Sequence, residues 1–334
     1  MTIKDIAKEA GYSVGTVSRV LNGAENVSEK AREAIMEVVD KYQFQLNSNA
    51  KLLKQQSSEG IAIIIKGAHN MLFAALVEQM QTLIEKRGYA SMMFYIEEDD
   101  NEVQEAYRIC QERRPLGILF LGTNRDYFKE HFHRITIPCL MVTNSAEGLD
   151  MENLSCVTTD DKAAAKLAVD HLFALGHRHI GVLSGFTDMS YTSISRYLGA
   201  KESFAEHQAE FDEERQVVSN YFTISHGYAA MEKLLEKMPE VTAVFAMADV
   251  MAIGAIRAIH DRGLRVPEDI SVIGFDGLDV GRYMVPRLTT IRQHREVIAV
   301  RSVEILLGCI EGAMQKVREV EPFHLVPGES VRSK

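Results

Sequence analysis

The sequence predicts an all-α head at the N-terminus, followed by an α/β body of two doubly wound parallel-sheet lobes. Residues 2–41 show only helical periodicity, whereas after Gly60 short apolar runs alternate with amphipathic helices. This alternation occurs in two successive series. Strands that alternate with helices imply right-handed crossovers and parallel sheets, so two series predict two lobes built alike.

The first helix of the head is predicted over Thr2–Gly11. Thr2 can accept hydrogen bonds from the free N–H groups, and Asp5 stands where a capping box places an acid. Gly11 ends the helix because glycine adopts the left-handed conformation at little cost. One apolar stripe at helical spacing is formed by Ile3, Ile6, Ala7 and Ala10.

The second helix is predicted over Val14–Asn22, with Ser13 as its cap and Gly23 after its end. Two short helices joined by a tight turn that contains glycine form a helix-turn-helix, which places the second helix in the DNA major groove. Its outward side chains are small or polar, so the backbone can approach base edges, hydroxyls can bond phosphate and Arg19 can bind guanine. The predicted DNA contacts are Ser13, Val14, Gly15, Thr16, Ser18, Arg19 and Asn22.

An ordinary surface helix of a small bundle is the alternative for this segment. A third helix follows, however, with Ser28 as its cap and with Ala31, Ile35, Val38 and Val39 facing inward. A three-helix unit at the start of a long chain favours the DNA-binding interpretation.

The charge distribution limits how this chain can meet DNA. The net charge is −10 over 334 residues, which argues against a generally basic nucleic-acid coat. Residues 1–58 carry eight Lys/Arg and seven Asp/Glu, so the negative charge lies on the body. We therefore expect only the head to approach the phosphates, with affinity set by a few placed contacts and by dimerisation.

Composition also excludes several classes of protein. Cys110, Cys139, Cys156 and Cys309 show no metal-ligand spacing and are interpreted as buried small hydrophobes in a reducing compartment. The longest apolar runs, such as Ile61–Ile65, have strand length and are too short to cross a bilayer. With no signal segment at the N-terminus, we expect a cytoplasmic protein without metal, cofactor or membrane partner.

The body elements follow from the apolar runs. The first series predicts strands 61–65, 90–95, 116–121 and 139–143, with helices 73–88, 101–114 and 126–132 between them. The second series predicts helices 161–176, 193–207, 226–237 and 249–263 and strands 180–184, 216–219, 243–247 and 271–275.

Several of these phrases resemble the lactose/galactose repressor (LacI/GalR) family. In the head they are Asp5-Ile6-Ala7, Ala10-Gly11, Ser13-Val14 and the run from Gly15 to Asn22. In the body they are the stretches 160–181, 249–255, 263–276 and 288–293. The resemblance implies a body shaped like periplasmic sugar-binding proteins. The chain would cross between lobes near residues 158–161, 288–292 and 320–322, and a ligand would sit in the cleft.

This resemblance also implies the domain limits. Residues 1–46 form the DNA-binding domain, residues 47–59 a hinge helix and linker, and residues 60–334 the effector-binding and dimerisation domain. Lobe one covers about 60–159 and 291–320, and lobe two covers about 160–289 and 321–334.

Two charged residues are candidates for effector binding. Asp276 directly follows the predicted strand 271–275, where a carboxylate can accept two hydroxyl hydrogen bonds from a sugar; a cap or turn role before Gly277 is the alternative. Arg196 lies in the first turns of the helix after Ile180–Ser184. Its guanidinium suits vicinal hydroxyls or a carboxylate, and a surface ion pair is the alternative.

The resemblance implies three more effector contacts. Asn70 and Phe73 follow the first strand, where the family has an asparagine and aromatics, although Leu72 replaces one aromatic. Asp249 follows strand 243–247, but Ala248 replaces the asparagine that the family generally has before it. The effector therefore cannot be copied from a relative.

For residues 47–54 the resemblance implies a hinge that becomes helical on operator DNA. The matching residues are Asn47, Ala50, Lys51, Leu53 and Lys54, with Leu46 in place of the family's usual proline. Leu53 is the candidate wedge into the minor groove, since an apolar side chain inserted at a base step kinks the duplex. A plain linker is the alternative.

These observations predict a repressor that binds a pseudo-palindromic operator as a homodimer and responds to a small polar effector, a sugar or sugar derivative. An exported sugar-binding protein would explain only the body. A sugar-modifying enzyme would explain only the α/β alternation, and no nucleophile, acid/base pair or phosphate loop stands out in the sequence. We therefore expect a protein that is not an enzyme.

Overall fold

The computed structural model describes residues 3–21, 27–42, 60–67, 70–187 and 190–334. The chain divides into two compact units, Met1–Ser58 and Glu59–Lys334. The first unit is helical and the second contains two parallel sheets with helices, so the predicted fold class is confirmed.

The head consists of α1 (Ile3–Ala10), α2 (Val14–Leu21) and α3 (Glu29–Lys41). Gly11 has a φ of 73°, which ends α1 at the predicted residue. The Ser13 hydroxyl accepts the Thr16 N–H at 3.1 Å, whereas Ser28 precedes α3 without a side-chain cap bond. The three helices enclose one small core, formed by Ile6, Ala7, Val17, Val20, Ile35 and Val39.

The body contains two sheets, one in each lobe. Lobe one holds β1 (Gly60–Lys66), β2 (Ala90–Ile96), β3 (Gly117–Leu121), β4 (Cys139–Val142), β5 (Leu154–Thr159) and β11 (Arg318–Glu321), in the order β11-β5-β4-β3-β1-β2. Lobe two holds β6 (Ile180–Ser184), β7 (Val217–Ser219), β8 (Ala243–Ala246), β9 (Ser271–Asp276), β10 (Thr289–Gln293) and β12 (Phe323–Val326), in the order β12-β10-β9-β8-β6-β7. Neighbouring strands pair in parallel except β10 and β12, which are antiparallel.

Helices cover both faces of each sheet. They are α4 (Met71–Lys86), α5 (Glu102–Arg113), α6 (Arg125–His131), α7 (Asp161–Ala174), α8 (Tyr191–Glu206), α9 (Glu213–Gln216), α10 (Ile224–Lys237), α11 (Asp249–Asp261) and α12 (Arg295–Ile310). In β1, Ile63 and Ile64 belong to different apolar clusters, since alternate residues of a strand face opposite sides. The continuous apolar run of β1 is therefore buried on both sides.

The structure corrects the predicted position of one crossing between the lobes, and it contains strands that the sequence pattern did not predict. Thr289–Gln293 pairs with β9 in lobe two, so the second crossing follows residue 293 rather than lying near 288–292. The chain then enters α12, which packs on the lobe-one sheet. The apolar pattern of the sequence did not predict β5 and β11. β5 is fully buried, but it contains the polar residues Ser155, Thr158 and Thr159 and so does not form an apolar run.

Within the described ranges, none of the helices is long and apolar enough to cross a membrane.

Candidate functional site

The carboxyl ends of strands from both sheets face one cleft between the lobes. In open parallel sheets this edge is where ligands bind. The lining residues from lobe one are Lys66, Asn70, Leu72, Phe73, Glu98, Gly122, Thr123, Thr143 and Asn144. Those from lobe two are Gly185, Phe186, Ser190, Thr192, Ser193, Arg196, Asn220, Tyr221, Phe222, Ala248 and Asp276.

Four of the five predicted effector residues line this cleft, and Asn70 and Phe73 come from lobe one. The Asn70 carboxamide oxygen accepts the N–H groups of Leu72 at 3.0 Å and Phe73 at 3.4 Å, so Asn70 caps α4. The cap places the first turn of α4, and with it the Phe73 ring, at the cleft.

Arg196 is held rigidly in the wall of lobe two. Its Nε donates to Asp161 Oδ1 at 2.7 Å, and its guanidinium carbon lies 3.7 Å from the centroid of the Phe275 ring. Another of its nitrogens donates to the Met247 carbonyl. The alternative of a surface ion pair is wrong, because Arg196 is only 5% exposed and its partner Asp161 is buried as well. Contacts of this kind fix the guanidinium before any ligand arrives.

Asp276 lies beside Arg196, at the end of β9. Its Oδ1 accepts a hydrogen bond from Gln293 Nε2 at 2.8 Å and lies 3.6 Å from Arg196 Nη2. Burial raises the pKa of Asp276 to about 6, while Arg196 and Gln293 act in the opposite direction. At neutral pH the carboxyl is therefore ionised and can accept hydroxyl hydrogen bonds from a ligand.

Asp249, the fifth predicted residue, does not line the cleft. It begins α11 and points into the interior of lobe two, where its Oδ2 accepts the Leu278 N–H at 2.6 Å and its Oδ1 accepts the Thr290 hydroxyl at 2.5 Å. Burial, together with the nearby charge of Asp276, raises the pKa of Asp249 well above its usual range. The neighbouring residue Ala248 lines the cleft instead. Through its bond to the Leu278 N–H, Asp249 holds the loop after β9 in place.

Three buried polar atoms in the cleft have no hydrogen-bond partner within the described part of the protein. They are Thr123 Oγ1, Asn144 Oδ1 and Ser193 Oγ. A buried polar group left without a partner costs about 1–3 kcal/mol, so such atoms mark positions that a ligand or water satisfies. Sequence reasoning missed all three.

Aromatic residues of the cleft were missed as well. Phe186, Tyr221 and Phe222 lie on lobe two, and the Phe186 and Tyr221 rings meet edge to face with centroids 5.1 Å apart. The available signal was position, because all three follow the strands β6 and β7 within three residues.

The same signal applies around the cleft. The sequence predicted Asp276 as a cleft residue because it ends an apolar strand. The residues that follow β2, β3 and β4 line the cleft for the same reason, although none of them was predicted. Two of the strand-end residues, Thr143 and Asp276, have φ values of 65° and 115°. Non-glycine residues in this region are strained, and such strain is concentrated at functional sites.

In the head, four of the predicted DNA contacts are exposed in the structure, namely Ser13, Val14, Gly15 and Arg19. Val14 is 41% exposed, and Gly15 and Arg19 are exposed as well. The Thr16 hydroxyl shares a hydrogen bond with that of Ser13 at 2.9 Å. Asn22, the side chain of Ser18 and the hinge residues Asn47, Ala50, Lys51, Leu53 and Lys54 lie outside the described residues.

A helix-turn-helix head and a two-lobed body with a ligand-type cleft together define a ligand-responsive DNA-binding regulator. Residues 2–47 match the model of bacterial regulatory proteins of the lacI family, and residues 169–331 match that of the periplasmic binding protein-like domain. The chain is 33% identical over 317 residues to the HTH-type transcriptional regulator MalR of Clostridium butyricum, covering 93% of each protein. The chain therefore belongs to the LacI family of bacterial transcriptional regulators.

Other relatives and solved structures agree. The ribose operon repressor of Halalkalibacterium halodurans is 31% identical over 310 residues, covering 93% of this chain and 90% of that protein. The lac repressor dimer bound to operator and the anti-inducer ONPF has a TM-score of 0.79 at 25% identity, covering 99% of both chains. The CelR–cellobiose complex has a TM-score of 0.71 at 27% identity, with the same coverage.

Proposed function

We propose that this chain is a transcriptional repressor that binds a pseudo-palindromic operator as a homodimer and is controlled by a small polar effector in the inter-lobe cleft. The observation that carries the proposal is the cleft itself, where buried polar atoms without partners stand beside an ionised carboxylate and aromatic rings. The protein acts by binding and conformational change rather than by catalysis.

The chemistry of the cleft favours a sugar or sugar derivative. Aromatic rings offer flat apolar faces, and carboxylate, amide and hydroxyl groups offer hydrogen bonds for several hydroxyls at once. Relatives are named as a ribose operon repressor and as a complex with cellobiose, which agrees with this class of effector.

The homodimer is supported by exposed apolar side chains on the body. Tyr283 is 83% exposed and Val285 is 93% exposed on lobe two, while Tyr95 is 58% exposed on lobe one. Single exposed apolar side chains are common on protein surfaces, but Tyr283 and Val285 stand two residues apart in one loop and leave most of their apolar surface uncovered. The related lac repressor structure is described as a dimer on its operator. Sedimentation equilibrium of the purified chain measures the assembly.

The test of DNA binding uses Gly15, which is exposed at the start of α2. A Cβ atom added there would lie 3.7 Å from Ser13 Oγ, an ordinary contact, so Gly15→Ala fits the fold and raises helix propensity by up to about 1 kcal/mol. If the α2 backbone approaches base edges, the same methyl group weakens operator binding. We expect an unchanged or higher melting temperature together with lower affinity in a gel shift with selected genomic fragments.

Arg19→Ala tests specificity on the same helix. Loss of a bidentate base contact weakens specific binding by about 1–3 kcal/mol and narrows the gap between operator and random DNA. Arg113→Ala removes an exposed arginine from α5 of the body and is the control for the change in charge. If Gly15→Ala and Arg19→Ala both bind the operator as the unaltered protein does, α2 is not the recognition helix.

We further propose that residues 47–54 act as the hinge and that Leu53 inserts into the minor groove. A helix this short is marginal alone and forms only when DNA and a partner helix hold it. Leu53→Ala therefore reduces operator affinity and DNA bending together, while effector binding persists. Energy transfer between dyes at the two DNA ends measures the bend, and an unchanged bend contradicts the wedge.

A further inference from the structure

The charges that line the cleft are balanced. Lys66 and Arg196 face Glu98 and Asp276. Both cations are already bound by buried carboxylates, because Lys66 Nζ lies 3.0 Å from Glu102 Oε2 and Arg196 Nε lies 2.7 Å from Asp161 Oδ1. With these partners counted, the wall around a ligand carries more negative than positive charge.

Two of the helix N-termini at the cleft, those of α4 and α8, are capped by side chains of the protein. Anionic groups such as phosphates often bind to the free N–H groups of a helix N-terminus. At α4, Asn70 accepts the N–H groups of Leu72 and Phe73, and at α8 the Ser190 hydroxyl accepts that of Ser193 at 3.4 Å. At α4 and α8, side chains of the protein thus take the positions that a phosphate would use. α11 begins at the cleft after Ala248 without a side-chain cap, but its first residue is the acidic Asp249.

Glu98 adds a carboxylate to the cleft from lobe one. It lies two residues after β2, in an acidic loop formed by Glu97, Glu98, Asp99 and Asp100. Burial raises the pKa of Glu98, which the charges of His226 and Lys66 oppose. Its side chain packs on Gly67, where a Cβ atom would come within 3.3 Å of it.

The acidic loop also meets lobe two across the cleft. Asp99 lies beside the Tyr221 hydroxyl and raises the pKa of that group by its charge and by a hydrogen bond. The imidazole of His226, which interacts with Glu98, is engaged through Nδ1 with the Thr223 hydroxyl at 2.7 Å. A ligand between the lobes is therefore placed against the acidic loop on one side and the Arg196–Asp276 pair on the other.

We propose that the cleft binds an uncharged polyhydroxy ligand and rejects its phosphorylated form, and that Glu98 sets this discrimination. The inference rests on the proposed effector role of the cleft and adds the ligand's charge. A phosphate near Glu98 and Asp276 meets like charge, and the two described cations that line the cleft, Lys66 and Arg196, are already paired. At about 6 Å and an effective dielectric constant of about 20, each like-charge pair weakens binding by about 100-fold.

The experiment is calorimetry of the full chain with matched pairs of neutral sugars and their phosphates, namely glucose and glucose 6-phosphate, ribose and ribose 5-phosphate, and fructose and fructose 6-phosphate. We expect at least one neutral sugar to bind, and its phosphate to bind at least about 100-fold more weakly or not detectably. A phosphate that binds as tightly as its parent sugar, or more tightly, overturns the inference and leaves the proposed function standing. If no member of the panel binds, the sugar-effector assignment falls and the inference falls with it, while the DNA-binding test stands apart.

Two variants then test Glu98 itself. Glu98→Gln keeps the shape of the side chain and removes its charge, so the affinity ratio between neutral sugar and phosphate should narrow by about 100-fold. Glu97→Gln removes the same charge from an exposed neighbour on the same loop and should leave the ratio unchanged. Equal narrowing in both variants, or none in Glu98→Gln, overturns the assignment to Glu98.

Discussion

The two walls of the cleft are built differently, although the two lobes share one architecture. On lobe two, Arg196 and Asp276 are already bound by Asp161 and Gln293 before any ligand arrives. On lobe one, Thr123 Oγ1 and Asn144 Oδ1 have no partner within the described residues; on lobe two, Ser193 Oγ is the exception. The comparison indicates a rigid platform on lobe two and groups on lobe one that gain their partners from the ligand.

The largest expected change in effector affinity comes from replacing Asp276, which belongs to the rigid Arg196–Asp276 pair on lobe two. We propose that Asp276 accepts hydrogen bonds from two ligand hydroxyls. Bonds to a charged group are worth about 1.5–3 kcal/mol each, so Asp276→Ala should lower effector affinity by about 1,000-fold or more. DNA binding should persist, because the head is a separate unit. Calorimetry and a gel shift measure the two properties. Glu236→Gln, an exposed change on α10, serves as the control, and a full effector response in Asp276→Ala would contradict the cleft assignment.

Asp249 tests whether a buried carboxylate of lobe two serves structure rather than binding. Asp249→Ala leaves the Leu278 N–H and the Thr290 hydroxyl without their acceptor, so the free energy of unfolding should fall by about 2–4 kcal/mol in urea. Asp249→Asn keeps one acceptor oxygen and should lose roughly half as much. If the alanine variant loses effector affinity without losing stability, Asp249 belongs to the binding wall after all.

The ionisation of Asp276 gives the platform a pH dependence. Its pKa is raised to about 6 in the folded protein, so on acidification the folded state takes up a proton before the unfolded chain does. This group alone therefore makes the fold more stable as pH falls through 6 towards 4, since the buried charge is removed. Effector binding has the opposite sign, because the ionised form accepts the hydroxyl bonds.

We expect effector affinity to fall about tenfold between pH 7 and pH 5. Calorimetry across this range measures the change. The Asp276→Asn variant should bind weakly with a flatter profile, and an unchanged slope in that variant would assign the titration to another group, such as Glu98.

The smallest expected effect compares one chemical change in both lobes. Thr123→Val removes a hydroxyl that has no partner in the described part of the chain, so the ligand-free protein should gain about 1 kcal/mol of stability and lose effector affinity by about tenfold. Thr290→Val removes a hydroxyl that donates to Asp249 at 2.5 Å, so stability should fall by about 1–2 kcal/mol. A loss of stability in both variants would mean that the Thr123 hydroxyl, like that of Thr290, is already satisfied in the ligand-free protein.

Local sequence patterns predicted many of the helices and strands of this protein. The stripe around Ile6, the stop at Gly11 and the cap at Ser13 predicted the first two helices of the head, because each depends on residues only a few positions apart. The apolar run Ile61–Ile65 predicted a buried strand in the same way. The position of Asp276 directly after an apolar strand placed it at the ligand edge, since parallel strands bring their carboxyl ends together.

The tertiary structure decided which side chains use that edge. Asp249 and Ala248 both follow β8, so their positions in the sequence do not distinguish which one lines the cleft. In the structure Asp249 packs into lobe two and Ala248 lines the cleft. Thr123 and Glu98 lie in loops whose polar sequences carry no periodic signal, and the pairing of β1 with β2 and β3 sets them beside one wall. Sequence by itself therefore determined most of the elements, although not strands such as β5 and β11, and it determined the sheet edge at which open parallel sheets bind ligands. Which atoms meet across the cleft depends on contacts between segments far apart in the chain, which local periodicity does not encode.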